Sequence, residues 1–433
     1  MGINRRMLIG SASATAAAGT ILAGTGSSVA EAKGKGKGKG KGHGNLVKTG
    51  ADVAAANNWD ALRGRKLGII TNPTGILSDL SSIVDSMAAA KLNIVGIFGP
   101  EHGFRGTAQA GDAEGTTIDP RTGLTVYDAY GATADKMATM FKDSGLDTVV
   151  FDIQDAGARF YTYIWTMYYA MKAAVMADAA FIVLDRPNPT GGVAKGPLMY
   201  EGFTSFVGAE AIVQQHGLSV GELAQLFNGQ FLTEDVGKKL KELTVIPCKG
   251  WRPNQLFEET GLPWVPPSPN MPTPDTALLY PGTCLFEGTN LSEGRGTTRP
   301  FEFIGAPYMD YRWAEELQKR NVPGVAFREA YFTPTFSKNA NKVNAGVQVH
   351  ITDPHAIDAP RLGVEMLVLA KKLYPGFAWR SDNWIDKLTG SARLREQINA
   401  GATPEAVIAA WRPELARFER MRRQYFIYKG NRG

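Results

Sequence analysis

At 433 residues, 44% apolar and 10% aromatic, the chain has material for two domains with separate cores, which excludes a disordered or fibrous protein. The formal charge is +5, but residues 1–45 hold seven cations and one acid, which leaves −1 from Leu46 onward. A nearly neutral body carries no electrostatic footprint for nucleic acid.

The first 32 residues read as an export signal. Arg5-Arg6-Met7-Leu8-Ile9 leads into a weakly apolar Ala/Gly/Ser run, and Ala30-Glu31-Ala32 has the small-x-small form of a cleavage site. The paired arginines resemble a twin-arginine signal, with Asn4 and Gly10 departing from its usual residues. Thr25 stands where a lipid-carrying cysteine would follow Leu22-Ala23-Gly24, so no lipid anchor is expected. Residues 33–50 open on Lys/Gly alternation, a flexible tether without core-forming side chains. It is either a solvated spacer or a grip on anionic polymers or a membrane surface. No apolar run long enough to span a membrane follows.

Residues 51–270 repeat one pattern four times: a β-rich apolar run that breaks into a polar cluster with Gly or Pro. The runs are KLGIITNPTG (66–75), NIVGIFGPEHG (93–103), DTVVFDIQDAG (147–157) and FIVLDRPNPTGG (181–192). Helical stretches at 79–91, 134–144 and 163–178 separate them. Strands alternating with helices specify a Rossmann-like α/β domain with a doubly wound, mostly parallel sheet. Ligands of such sheets bind outside the carboxyl ends of the strands. Asn72, Glu101 with His102, Asp152 with Gln154 and Asp155, and Asp185 with Arg186 and Asn188 are therefore expected around one crevice. No G-x-G-x-x-G follows a strand, so no nucleotide cofactor is expected.

Residues 250–307 are dense in Pro, Gly and aromatics and read as an ordered loop system facing the crevice. Residues 271–433 are assigned to a second, smaller α+β domain, with a strand at 345–353, a helix near 361–372 and closing helices over 404–424. Cys248 and Cys284 either pair or stay free. His350 and His355, five apart across Pro354, do not read as a zinc pair, and no metal is expected. His216 precedes Ser219 and Glu222, which have capping-box spacing, so its expected role is local.

Glu101, at a strand end among Pro100, Phe98 and Phe104, is either a general acid or a structural ligand of its own turn. His102 either shares its proton or shapes the turn, and Arg105 is a candidate for an anionic substrate group. Strand alternation puts Asp152 and Gln154 on one face with Asp155 at the tip, and Arg159 and Tyr161 follow as donors. For Asp152 an ion pair with an arginine is the plainer reading. Asp185 and Arg186 form either a structural pair or part of the site, while Asn188, between two prolines, is a rigid amide suited to a hydroxyl. In LFEGTNLSEGRGTT, Glu287 and Glu293 either bring a second carboxylate to the crevice or pair with Arg295 to brace the loop around Asn290.

Six segments carry a resemblance: FGPEHGFRG, FDIQDAGARFYTYIWTM, VLDRPNPTGG, LPWVPPSPNMPT, YPGTCLFEGTNLSEGRGTT and PFEFIGAP. In this order, from about Leu67 to Tyr428, the chain resembles the NamZ family of exo-acting β-N-acetylmuramidases. The resemblance implies a Rossmann-like N-terminal domain, an auxiliary C-terminal domain and a cleft at their interface. It further implies a glycoside hydrolase that releases N-acetylmuramic acid from the non-reducing end of peptidoglycan fragments, without metal or nucleotide. It places the acid at Glu101 with His102 beside it, and Asp155, Arg159, Tyr161, Asn188, Glu287, Asn290, Glu293 and Arg295 along the cleft. The lactyl carboxylate of that sugar gives Arg105, Arg159, Arg186 or Arg295 a partner. Asn344 departs from the cysteine that many relatives carry there, and the Lys/Gly tether is no family feature.

The expected setting is periplasmic, wall-associated or extracellular, with muropeptides or disaccharides as substrates and wall polymers or membrane as further partners of the tether. Two other functions fit the same crevice. A non-catalytic wall-glycan binding protein would bind without turnover, and a lytic transglycosylase would leave an anhydro product.

Overall fold

The computed structural model describes residues 46–106 and 115–432, and the expected export signal and most of the tether lie outside the described residues. The four recurring runs form β1 (Leu67–Thr71), β2 (Ile94–Gly99), β5 (Thr148–Asp152) and β6 (Ala180–Leu184). Between β2 and β5 come β3 (Thr117–Ile118) and β4 (Thr125–Asp128). After β6 come β7 (Lys195–Leu198), β8 (Val213–Gln215) and β9 (Leu243–Ile246). The main sheet has the order β3-β4-β2-β1-β5-β6-β9. Its pairings are parallel except β3 with β4. The chain runs outward from β1 to β2 and β4, then returns to β5 on the other side of β1. The strand order therefore reverses between β1 and β5, where open sheets bind ligands.

Helices cover both faces. Ile70, Phe98, Val149 and Phe181 point to one side and pack with helices Ala134–Ser144, Tyr163–Met176 and Val220–Gln230. Ile69, Ile97, Val150 and Ile182 point to the other and pack with helices Gly50–Ala56 and Ile83–Ala89. This alternation by one residue is why each strand reads as a continuous apolar run. Residues 47–50, expected in the tether, belong instead to the folded body: Val47 is 1% exposed and its N–H bonds Thr260 O at 3.2 Å. Thr49 then caps the helix Gly50–Ala56 through a reciprocal box with Asp52.

The C-terminal part holds β10 (Phe303–Ala306), β11 (Val325–Phe332) and β12 (Asn344–Ile351) in an antiparallel sheet of order β10-β12-β11. The helix Arg312–Lys319 packs against it, and the helix Ala359–Leu373 packs in turn on that helix and on Pro274–Thr283. Residues 250–307 are not loop throughout, because Pro274–Thr283 is helical. Its two prolines suggest a breaker, but Pro274 occupies the first turn, where a missing N–H costs nothing, and Thr273 caps the end. The apolar core continues from Phe181 and Tyr168 to Phe286, Trp313 and Val347, so both parts share one interior. Cys248 and Cys284 are free and buried.

Candidate active site

At the end of β2 the chain makes a tight turn in which Gly103 N–H bonds Pro100 O at 2.9 Å. Its third residue, His102, has φ 72°, a position where glycine is the unstrained choice. His102 is buried, while Glu101 is half-buried. Thr162 Oγ1 donates to Glu101 Oε2 at 2.8 Å, and the Tyr130 hydroxyl approaches Oε1 at 3.5 Å. Thr162 stands at the N-cap of helix Tyr163–Met176 without capping it, since its hydroxyl is turned to Glu101. Tyr163 donates to Pro267 O at 2.5 Å and reaches Glu101 O at 3.3 Å. Beside Thr162 and Tyr130 lies a hollow of about 480 Å³ walled by Trp165, Tyr169 and Phe206.

Arg105, in the same loop, grips Asp119 with two nitrogens at 2.9 and 3.1 Å and packs over Phe104. It holds the loop to the segment before β4.

The end of β5 splits into two roles. Asp152 faces Arg186, whose Nε and Nη2 reach its two oxygens at 2.5 and 2.9 Å, with both side chains buried. Sequence proximity suggested Asp185 for that arginine. Asp185 instead accepts from Ser219, Gly221 and Tyr428 at 2.6 to 2.7 Å. Asn188 uses both ends of its amide, accepting from Thr190 and donating to Leu218 O, each at 2.9 Å. Gly157 carries φ 78°, and a Cβ there would lie 2.5 Å from Asn188 Oδ1, so only glycine lets these two turns approach.

Arg159 is fully buried and bonds three carbonyls, Pro197 O and Ile212 O at 3.0 Å and Leu388 O at 2.6 Å. With no carboxylate beside it, burial pushes its guanidinium down to about 9. It is a brace, and Asn188 likewise spends its amide on protein groups, whereas Arg186, held by Asp152, lines a small pocket with Thr74, Ile76 and Gln154.

Asp155 has a different environment. One oxygen accepts Gly157 N–H at 2.7 Å and meets His216 Nε2 at 3.0 Å, while Oδ1 is buried without a partner among the described residues. Tyr161 is 8% exposed, and its hydroxyl also lacks a partner of adequate geometry, although Ser268 faces it. Burial, then the neighbouring Tyr163, raises this phenol well above the usual range, with Glu101 and Asp155 adding to the effect. The Tyr161 ring packs edge-on against Tyr163 at 5.2 Å, and the Tyr163 hydroxyl in turn reaches Glu101 O at 3.3 Å.

Glu287, Glu293 and Arg295 form a separate network. Arg295 meets Glu287 at 2.7 Å and Glu293 at 3.4 Å, and Lys338 meets Glu293 at 2.7 Å. Burial opposes the charge of Arg295, but Glu287 and Glu293 overcome it and raise its guanidinium. Asn290 is fixed by Tyr308, Gly376 and Ala378 at 2.7 to 3.0 Å. These side chains, with Arg380, line a polar pocket of about 580 Å³. An aromatic series links it to Tyr161: Tyr280 at 5.6 Å, Phe301 at 4.8 Å from Tyr280, and Arg295 5.0 Å above Phe301. All four arginines considered for a substrate carboxylate are engaged by protein groups.

Sequence reasoning missed Thr162, Tyr130 and His216. A threonine opening a helix reads as a cap, and the short β4 gives its following Tyr130 little signal. The Ser219–Glu222 box is present, but the His216 imidazole reaches 61 residues back to Asp155.

Residues 67–275 match the family model for the N-terminal part of exo-beta-N-acetylmuramidase NamZ, and residues 278–428 match that for its C-terminal part. The chain is 44% identical over 386 residues to a peptidoglycan beta-N-acetylmuramidase NamZ of Bacillus subtilis, covering 88% of this chain and 91% of that protein. Crystal structures of two DUF1343 family proteins of Bacteroides fragilis are similar, at 35% and 31% identity with TM-scores of 0.81 and 0.73. Each comparison covers 89% of this chain and 99% of the other.

Proposed function

The chain belongs to the NamZ exo-β-N-acetylmuramidase family, and we propose that its Glu101 site removes N-acetylmuramic acid from the non-reducing ends of peptidoglycan-derived disaccharides or muropeptides. It is a glycoside hydrolase of peptidoglycan. The observation that carries the site assignment is Glu101 itself, a half-buried carboxyl fixed by Thr162 at 2.8 Å beside an aromatic hollow of sugar size. In this reading Glu101 protonates the glycosidic oxygen as the bond breaks. Thr162 and Tyr130 hold its carboxyl in one orientation, and Tyr169 and Phe206 offer apolar surface to a sugar face, with Trp165 buried behind it. The export signal would bring the enzyme to its substrate, and the cationic tether would hold it near anionic wall polymers or the membrane surface.

The test is release of N-acetylmuramic acid from the disaccharide MurNAc-GlcNAc by the mature protein and by Glu101→Gln. Turnover by wild type, with binding kept but activity lowered ~100-fold or more in the variant, supports the reading. Binding without release favours a glycan-binding protein, and an anhydro product favours a transglycosylase.

A further inference from the structure

Buried polar atoms are almost always hydrogen-bonded, so a pair of exceptions at one place points to a ligand. The Asp155 Oδ1 and Tyr161 hydroxyl are such a pair, at the reversal of strand order. The rest of Asp155 is firmly held. His216 is fully buried, and its Nδ1 accepts the Leu218 N–H at 3.2 Å, so its proton sits on Nε2 and is donated to Asp155 Oδ2 at 3.0 Å. Gly157 N–H fills the remaining position on that oxygen at 2.7 Å. Asp155 is therefore aimed by its neighbours while one oxygen is left over. An acceptor without a partner, and a hydroxyl that only Ser268 faces without a bond of adequate geometry, together complement a secondary amide, which has one N–H and one C=O.

Resting on the glycosidase reading above, we propose that Asp155 and Tyr161 bind the acetamido group of the substrate sugar, and that this group is the nucleophile of the reaction. Its carbonyl oxygen bonds to the anomeric carbon while the glycosidic bond breaks and Glu101 gives its proton to the departing oxygen. Asp155 holds the N–H of the resulting cationic oxazoline ring, and Tyr161 steers the carbonyl beforehand. Water then bonds to the anomeric carbon, the ring opens to restore the amide, and the water proton returns to Glu101. One water is consumed and the configuration is retained. Asp155 and Tyr161 are catalytic residues and His216 a positioning residue. No protein carboxylate need bond to the sugar, which suits the pairing of Glu287 and Glu293 with Arg295 and Lys338.

The test uses the whole mature chain and 4-nitrophenyl N-acylmuraminides with acetyl, fluoroacetyl, difluoroacetyl and trifluoroacetyl groups. Fluorine weakens the carbonyl oxygen as a nucleophile, so kcat/KM should fall by ~100-fold or more along the series. Asp155→Asn should lower kcat ~100-fold on the acetyl compound while melting like wild type. His216→Phe should lower kcat ~10-fold with KM kept, and His216→Gln, which still donates, should recover most of it. A flat series with the acetyl compound turned over, or a sugar ester trapped on a protein carboxylate, overturns the proposal and leaves the glycosidase reading standing. No turnover of the acetyl compound overturns both.

Discussion

Asp185, Arg186 and Asn188 at the end of β6 have their hydrogen-bonding groups met by protein, whereas Asp155 and Tyr161 beyond β5 keep buried groups unmet and Glu101 beyond β2 stays half-exposed. The two regions present similar residues to a reader of the sequence. The difference teaches that residue type at a strand end does not mark a site in such a sheet. Here the site is set apart by unmet buried groups of Asp155 and Tyr161 at the end of the sheet that carries Glu101, since unmet atoms also occur at core residues such as Trp313 and Arg159.

Substitutions at the two regions should therefore fail in different ways. The largest effect is expected for Asp152→Ala, which strands Arg186 in the interior and should cost ~3–5 kcal/mol in urea unfolding. Comparable stability of that variant would break the contrast. On the other side, Thr162→Val removes a hydrogen bond to the Glu101 carboxyl. It should lower kcat ~10–100-fold with little change in unfolding.

His102→Gly separates the two regions further. Glycine relieves the left-handed backbone at φ 72° but also removes a buried imidazole, so the two effects should offset to within ~1–2 kcal/mol of stability, yet activity should drop. Unchanged activity would make His102 a turn residue only.

The smallest effect concerns the satisfied region and pH. Burial lifts Asp185 from 3.8 to about 6, despite its hydrogen bonds with Tyr428, Gly221 and Ser219. The unfolded chain loses that proton near 3.8 and the folded chain only near 6, so the folded state binds the extra proton between them. Stability from this carboxyl is therefore lost as pH rises through that window. Relative to Asp185→Asn, wild type should lose about 1 kcal/mol between pH ~4.5 and ~5.5 in urea unfolding.

The sheet was legible because parallel strands buried on both faces must be apolar throughout and must end abruptly at the crevice. The helix at Ala134–Ser144 matches its expected range because Thr133 and Gly145 bound it as cap and stop. The strand β9 escapes that pattern: it is a four-residue run, LTVI, half-buried at the sheet edge and without the carboxylate or amide cluster that ends the four recurring strands. Within the site, Glu101 and Asp155 could be named from their strand ends. Partner choice could not, because Arg186 with Asp152, and His216 with Asp155, are pairings across 34 and 61 residues. Local spacing carries no trace of such contacts: it gives Asp152 an arginine without saying which, leaves Asp185 with Arg186 open, and assigns His216 to the nearby cap.

Arg159 draws its three carbonyls from both halves of the molecule, two from residues 197 and 212 and one from residue 388. Severing the chain between the two family segments would leave this cation without one of its acceptors and would open the shared interior to water. The halves are thus not interchangeable modules: they should melt in a single cooperative event, and neither should be inherited or expressed without the other.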